Sequence, residues 1–170
     1  MGEPNIVIRE YDPTWPKLFE GLRGRVLGAL GGLVVTVEHV GSTAVPGLAA
    51  KPIVDVDTVV PSAEDVPLAI ERLERAGYRH EGDLGIPGRE AFRPPADAAW
   101  HHLYVVTAGS EELRRHLAFR DYLRAHPEEA STYAALKRES ARRFGGDRRA
   151  YSDSKGKFVE RILSQAMDDR

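Results

Sequence analysis

The sequence predicts a mixed α/β domain: a β-sheet with helices packed on it, followed by a helical last third. Three observations predict it. Residues 33–40 (LVVTVEHV) and 53–60 (IVDVDTVV) are rich in β-branched side chains and read as strands. Ahead of them, Trp15, Leu18, Phe19, Leu22, Val26, Leu27 and Leu30 recur at three- and four-residue spacing, one apolar helical stripe. From Ser110 onward the patterning is helical throughout. Strand and helix signals therefore mix in the first two thirds and helices dominate the last, as in a sheet covered by helices. No internal repeat or long linker interrupts this order, so residues 1–170 read as a single domain.

The elements follow in order. Residues 6–10 (IVIRE) read as a short edge strand. Asp12-Pro13-Thr14-Trp15-Pro16 suits a helix start, because proline is tolerated in a first turn, and Gly31-Gly32 ends that helix. A loop of small residues, 41–52 (GSTAVPGLAAKP), separates the two β-branched runs. Ser62 with Asp65 three residues on is a helix-capping pattern, for a helix that stops at Gly77. Residues 78–83 and 89–93 read as two strands around Gly85, Pro87 and Gly88. Residues 101–107 read as another strand. Three helices follow, over about 111–125, 127–144 and 151–167, the last capped by Asp147 or Ser152.

Composition limits the functional classes. The 170 residues carry 24 Lys and Arg against 26 Asp and Glu, a formal net charge of −2. That balance gives no electrostatic reason to expect nucleic acid or a membrane surface as partner. There is no cysteine, which removes disulfides, zinc–thiolate and iron–sulfur sites and a cysteine nucleophile. No apolar run approaches the roughly 20 residues that span a bilayer. The first residues hold acids and prolines where a signal peptide would be basic and then apolar. The expectation is a soluble, cytoplasmic protein.

The most informative stretch is Ile53-Val54-Asp55-Val56-Asp57-Thr58-Val59-Val60. A strand repeats every two residues, so Asp55 and Asp57 share a face. Charged carboxylates on an otherwise apolar strand need compensation, because desolvating a charge is expensive. A divalent cation such as Mg²⁺ or Mn²⁺ supplies it, since hard cations prefer oxygen ligands. The alternative is a solvent-facing strand surface with two ordinary acids. The preceding loop favours the cation. Gly41 allows close backbone approach, while Ser42, Thr43 and nearby N–H groups can hold phosphate oxygens. Lys51, between loop and strand, is placed to meet a phosphate or to be a solvated loop lysine. A phosphate beside a carboxylate-held metal is the arrangement that phosphoryl and nucleotidyl transfer require. Gly-Ser followed at this distance by Asp-x-Asp resembles the signature of the nucleotidyltransferase superfamily.

A narrower resemblance covers nearly the whole chain. Residues 38–56 (EHVGSTAVPGLAAKPIVDV) are similar to the signature of the GrpB-like (UPF0157) family. So are 11–20 (YDPTWPKLFE), 77–92 (GYRHEGDLGIPGREAF), 101–106 (HHLYVV), 117–137 (LAFRDYLRAHPEEASTYAALK) and 151–159 (YSDSKGKFV). The resemblance implies a nucleotidyltransferase-like mixed sheet with packed helices. It also implies a link to coenzyme A metabolism, since such domains occur fused to dephospho-CoA kinase. Two departures stand out. The superfamily's third carboxylate, usually on a later strand, is absent from residues 101–106, where His102 and Tyr104 share a face. Glu81, Asp83 and Glu90 are the other acids nearby. The family's His-His-Leu-His reads His-His-Leu-Tyr here, so Tyr104 replaces an imidazole with a poorer ligand.

The expected site thus comprises Asp55 and Asp57 as metal ligands, with His102 beside them as a catalytic group. Gly41, Ser42, Thr43 and Lys51 are expected at the phosphates. In the superfamily a helical region offers an aromatic to the base and lysine to the triphosphate. Lys137, Tyr151 and Lys155 match that role, the last two being four residues apart on one helical face. Arg120, Arg138, Lys157, Tyr122 and Tyr133 lie in the same region, and His39 and His101 flank the loop and the strand. The expected partner is a nucleoside triphosphate or a CoA-related small molecule. The expected activity is Mg²⁺-dependent nucleotidyl transfer to an acceptor, the alternative being a non-catalytic nucleotide- or CoA-binding module.

Overall fold

The computed structural model describes residues 5–168. Helix α1 (Trp15–Leu30) starts where Asp12 takes hydrogen bonds from the Thr14 N–H and hydroxyl at 2.8 and 2.7 Å, with Pro16 in the first turn. Its stripe of Trp15, Phe19, Leu22, Val26 and Leu30 is buried. Strand β1 (Thr36–Val40) is shorter than the sequence suggests, because residues 31–33 close a 3₁₀ turn first. Residues 6–10 do not form a strand: among the described residues a single bridge, Arg9 with Ala50, is their sheet-like pairing. A β-prone segment needs a partner edge, and only one residue of this one meets it.

Strand β2 (Val54–Val60) leads through the Ser62–Asp65 capping box into α2 (Val66–Arg75). Strands β3 (Arg79–Gly82), β4 (Arg89–Arg93) and β5 (His101–Thr107) complete the sheet. Helices α3 (Glu111–Ala125), α4 (Pro127–Phe144) and α5 (Arg148–Asp168) follow. Helix α5 starts three residues earlier than the sequence suggests. Asp147 accepts the Ala150 N–H at 3.0 Å, and Ser152 lies inside the helix.

The sheet order is β1-β2-β5-β4-β3, with β2 and β5 parallel and the other neighbours antiparallel. Its two faces differ as a period of two dictates. Val54, Val56, Leu103 and Val105 turn to one face and form the main core with α1 and α2. The opposite face carries Asp55, Asp57, His102 and Tyr104, in register as Asp55–His102 and Asp57–Tyr104. Helix α3 lies against this second face, with Leu113 and Leu117 on Val59 and Val106. Helices α4 and α5 pack beside it around Leu123, Tyr133 and Ile162. A polar strand face is thereby partly roofed by helices, and the loop after β1 lines a cavity beside Asp55 and His102. Among the described residues no helix is long and apolar enough to cross a membrane.

Candidate functional site

The loop after β1 is built around one close approach. Gly41 has φ 75°, and a Cβ placed there would lie 2.3 Å from Asp55 Oδ2. Only glycine lets the backbone rest against that carboxylate. Ser42–Ala44 then make one 3₁₀ turn. Thr43 is buried, its hydroxyl 2.8 Å from His39 Nε2. His39 stacks on Phe19 at 4.7 Å, and burial pushes its pKa down to about 4. It is therefore a neutral imidazole that fixes Thr43 rather than a charged group. The Ser42 hydroxyl meets the Tyr133 phenol from α4.

Each aspartate is met by a histidine. His102 Nδ1 donates to Asp55 Oδ1 at 2.7 Å, reaching across the parallel β2–β5 pair. His116 from α3 donates Nδ1 to Asp57 Oδ2 at 2.6 Å and Nε2 to Glu112 at 2.8 Å. Burial would lower the His116 pKa. The hydrogen bond to Asp57 and the charges of Asp57 and Glu112 more than offset this and raise it. Asp57 is fully buried, and its second oxygen, Oδ1, has no hydrogen-bond partner. Desolvation raises its carboxyl pKa against the pull of His116. Tyr104 sits between the two imidazoles, each ring centroid 6.3 Å away, with the Arg89 guanidinium 4.3 Å from its own.

Beside Asp55 opens a cavity of about 220 Å³. Three lysines line it: Lys51 from the loop, Lys137 from α4 and Lys155 from α5. Burial, then the like charges of Lys155 and Lys51, lower Lys137 to about 7. Its Nζ is buried without a hydrogen-bond partner, 4.6 Å from the Tyr133 ring centroid. Lys155 falls to about 8 for the same reasons, burial first and Lys51 second. Burial lowers Lys51 as well. Lys155 and Lys51 flank the Tyr151 ring at 4.2 and 5.3 Å. The Tyr151 hydroxyl is buried without a partner, and desolvation lifts its pKa to about 12. Three lysines crowded into a small cavity repel one another when charged, which lowers their affinity for protons and favours an anion beside them.

Of the residues expected from sequence, Gly41, Ser42, Thr43, Lys51, Asp55, His102, Lys137, Tyr151 and Lys155 all line this cavity. Asp57 stands behind it, under α3. Other candidates lie elsewhere. His101 is structural: it donates Nδ1 to the Ala99 carbonyl at 2.7 Å and accepts the Tyr78 hydroxyl at 3.0 Å. Glu90 engages His80, Glu81 engages Arg93 and Asp83 accepts the Gly85 N–H. Arg120 pairs with Glu38 and Asp121, and Arg138 with Glu10. Sequence reasoning missed Glu112 and His116, whose spacing of four on α3 was the available signal. It also missed Glu38, which stands opposite Asp57 in the β1–β2 register with its charge engaged by Arg120. Among the described residues no cluster of three or more acids and histidines forms a metal cage.

The comparisons with known proteins match this architecture. The family model described as GrpB protein matches residues 5–165. The chain belongs to the GrpB family. A UPF0157 protein from Halalkalibacterium halodurans is 39% identical over 95% of this chain and 83% of its own. A dephospho-CoA kinase from Mycolicibacterium paratuberculosis is 29% identical over 92% of this chain, which spans 45% of that protein. Among solved structures, the crystal structure of GrpB from Enterococcus faecalis has a TM-score of 0.86 at 36% identity. It covers 96% of this chain and 98% of its own. The Cid1 poly(U) polymerase with MgGTP bound has a TM-score of 0.57 at 16% identity, over 80% of this chain and 45% of that one. At that identity the likeness concerns the fold alone, and this GrpB chain has a nucleotidyltransferase-like fold.

Proposed function

We propose that this protein binds a nucleoside triphosphate with a divalent cation and transfers the nucleotidyl group to an acceptor. One observation carries the reading: the Asp55 strand and three lysines, which make no ion pair among the described residues, converge on one cavity. The lysines hold phosphate oxygens, joined by the Ser42 hydroxyl and the backbone of the turn that Gly41 opens. Asp55 and Asp57 would hold Mg²⁺ or Mn²⁺, which would neutralise triphosphate charge. The orphaned Asp57 Oδ1 fits such an ion. So does the lack of a third protein ligand, because magnesium usually takes one or two carboxylates and completes its shell with phosphates and water.

His102 is held by Asp55 through Nδ1, which leaves Nε2 as the proton acceptor. The acceptor oxygen would bond to the α-phosphorus as the bond to the leaving pyrophosphate breaks. Its proton would pass to His102 Nε2. Incubation with labelled nucleoside triphosphates, Mg²⁺ and cell extract tests this by label moved to an acceptor. The expected result is transfer by the wild type, with losses of about 10²-fold or more in Asp57→Asn and about 10²-fold in His102→Ala. Nucleotide binding should survive His102→Ala. Undiminished transfer by either variant would refute its assigned role.

The second reading is a non-catalytic nucleotide- or CoA-binding module. Both aspartates are already hydrogen-bonded to histidines, β5 carries no third carboxylate, and a dephospho-CoA kinase contains a similar region. Triphosphate binding without transfer under any condition would select it.

A further inference from the structure

A second cavity of about 370 Å³ adjoins the first and shares with it Lys51, Ile53 and His102. Its far wall differs in character. Trp100, immediately before β5, is 53% exposed, and Val7, also in the lining, is 55% exposed. An indole left this open beside a candidate site offers a flat stacking face to a ligand. The Trp100 ring is steadied by the Arg93 guanidinium, 5.7 Å from its centroid. Arg9 and Lys51 bring positive charge to this cavity, and among the described residues none of its lining is acidic. An indole and cationic groups in one pocket select a flat ring that carries an anion.

We infer that this cavity is the acceptor site, and that the acceptor is a small molecule with a flat heteroaromatic ring and an attached phosphate. The word acceptor rests on the transfer reading above; the binding chemistry does not. The position supports the division of labour. A ligand stacked on Trp100 adjoins the lysine cavity, because His102, Ile53 and Lys51 line both. His102 follows Trp100 by two residues, so the stacking platform and the imidazole are set by one strand start. The ring and the anion thus meet separate groups, while the reactive hydroxyl of the acceptor faces the triphosphate.

Calorimetry with adenosine 5′-monophosphate on the full chain tests the assignment, with adenosine and ribose 5-phosphate as ring-only and anion-only probes. Trp100→Ala is expected to weaken the monophosphate about 10-fold or more, the usual scale of a lost stacking contact. Arg9→Gln should weaken it as well and leave adenosine unchanged. Both residues are exposed, so the fold is expected to persist. Neither variant should change ATP affinity more than about 2-fold, whereas Lys137→Gln should weaken ATP and spare the monophosphate. In the wild type the monophosphate should also quench tryptophan fluorescence through Trp100, since Trp15 is buried. Three results would overturn the site: no monophosphate binding, binding indifferent to Trp100, or binding that depends on Lys137 instead. Monophosphate binding through Trp100 with no triphosphate binding would uphold this site and refute the donor reading, so the two fail separately.

Discussion

His116→Ala is expected to cost about 3–5 kcal/mol of stability, the range for removing one partner of a buried ion pair. Asp57 is fully buried, and His116 supplies its only hydrogen bond among the described residues. Without the imidazole a charge stays in a dry site between β2 and α3. Adding Asp57→Asn to His116→Ala should recover much of the loss, because a neutral amide is far cheaper to bury. Urea unfolding of the two single variants and the double variant gives the coupling directly. A loss below about 1 kcal/mol in His116→Ala would mean that Asp57 is not charged beside the imidazole.

Lys137→Met is expected to move stability and binding in opposite directions. The buried ammonium has no hydrogen-bond partner, so its removal should stabilise the fold by about 1–3 kcal/mol, the cost of an unsatisfied buried group. Triphosphate affinity should fall by about 1.5–3 kcal/mol, the worth of a hydrogen bond to a charged group. The pH dependence has a definite sign. Folding lowers the Lys137 pKa from 10.5 to about 7, so the unfolded chain binds the proton more tightly. Wild-type stability therefore carries the full penalty below about pH 7 and sheds it as pH rises towards 10.5. The advantage of the methionine variant should shrink over the same window. Triphosphate affinity of the wild type should fall as pH rises above about 7, because a bound polyanion favours protonated Lys137 and Lys155. A variant that neither gains stability nor loses affinity would make Lys137 an ordinary packed side chain.

Much of this arrangement was legible in the chain. A period of two is enough to place Asp55 and Asp57 on one face, and the fold obeys it. The spacing of four between Tyr151 and Lys155 likewise brings both to the cavity. What escaped is tertiary. Glu112 and His116 acquire meaning only when α3 docks on the β2–β5 face, and nothing local in a helix reports what it will cover. The superfamily pattern expects a third acid on β5, yet the carboxylate in register with Asp57 is Glu38, on the antiparallel neighbour whose pairing the sequence does not reveal. Residues 6–10 had the composition of a strand, but among the described residues their sheet-like pairing is the single bridge of Arg9 with Ala50. The limit there was the availability of an edge rather than propensity.

One cavity is expected to hold triphosphate between the lysines and a cation on the aspartate strand. Crystals soaked with Mn²⁺ and a non-hydrolysable ATP analogue test it most directly, because manganese is visible by its anomalous signal. The account predicts an anomalous peak at Asp55 and Asp57, with the phosphate chain running from it to Lys137 and Lys155. An analogue bound elsewhere, or manganese at any site other than this pair with the cavity empty at saturating ligand, would contradict it.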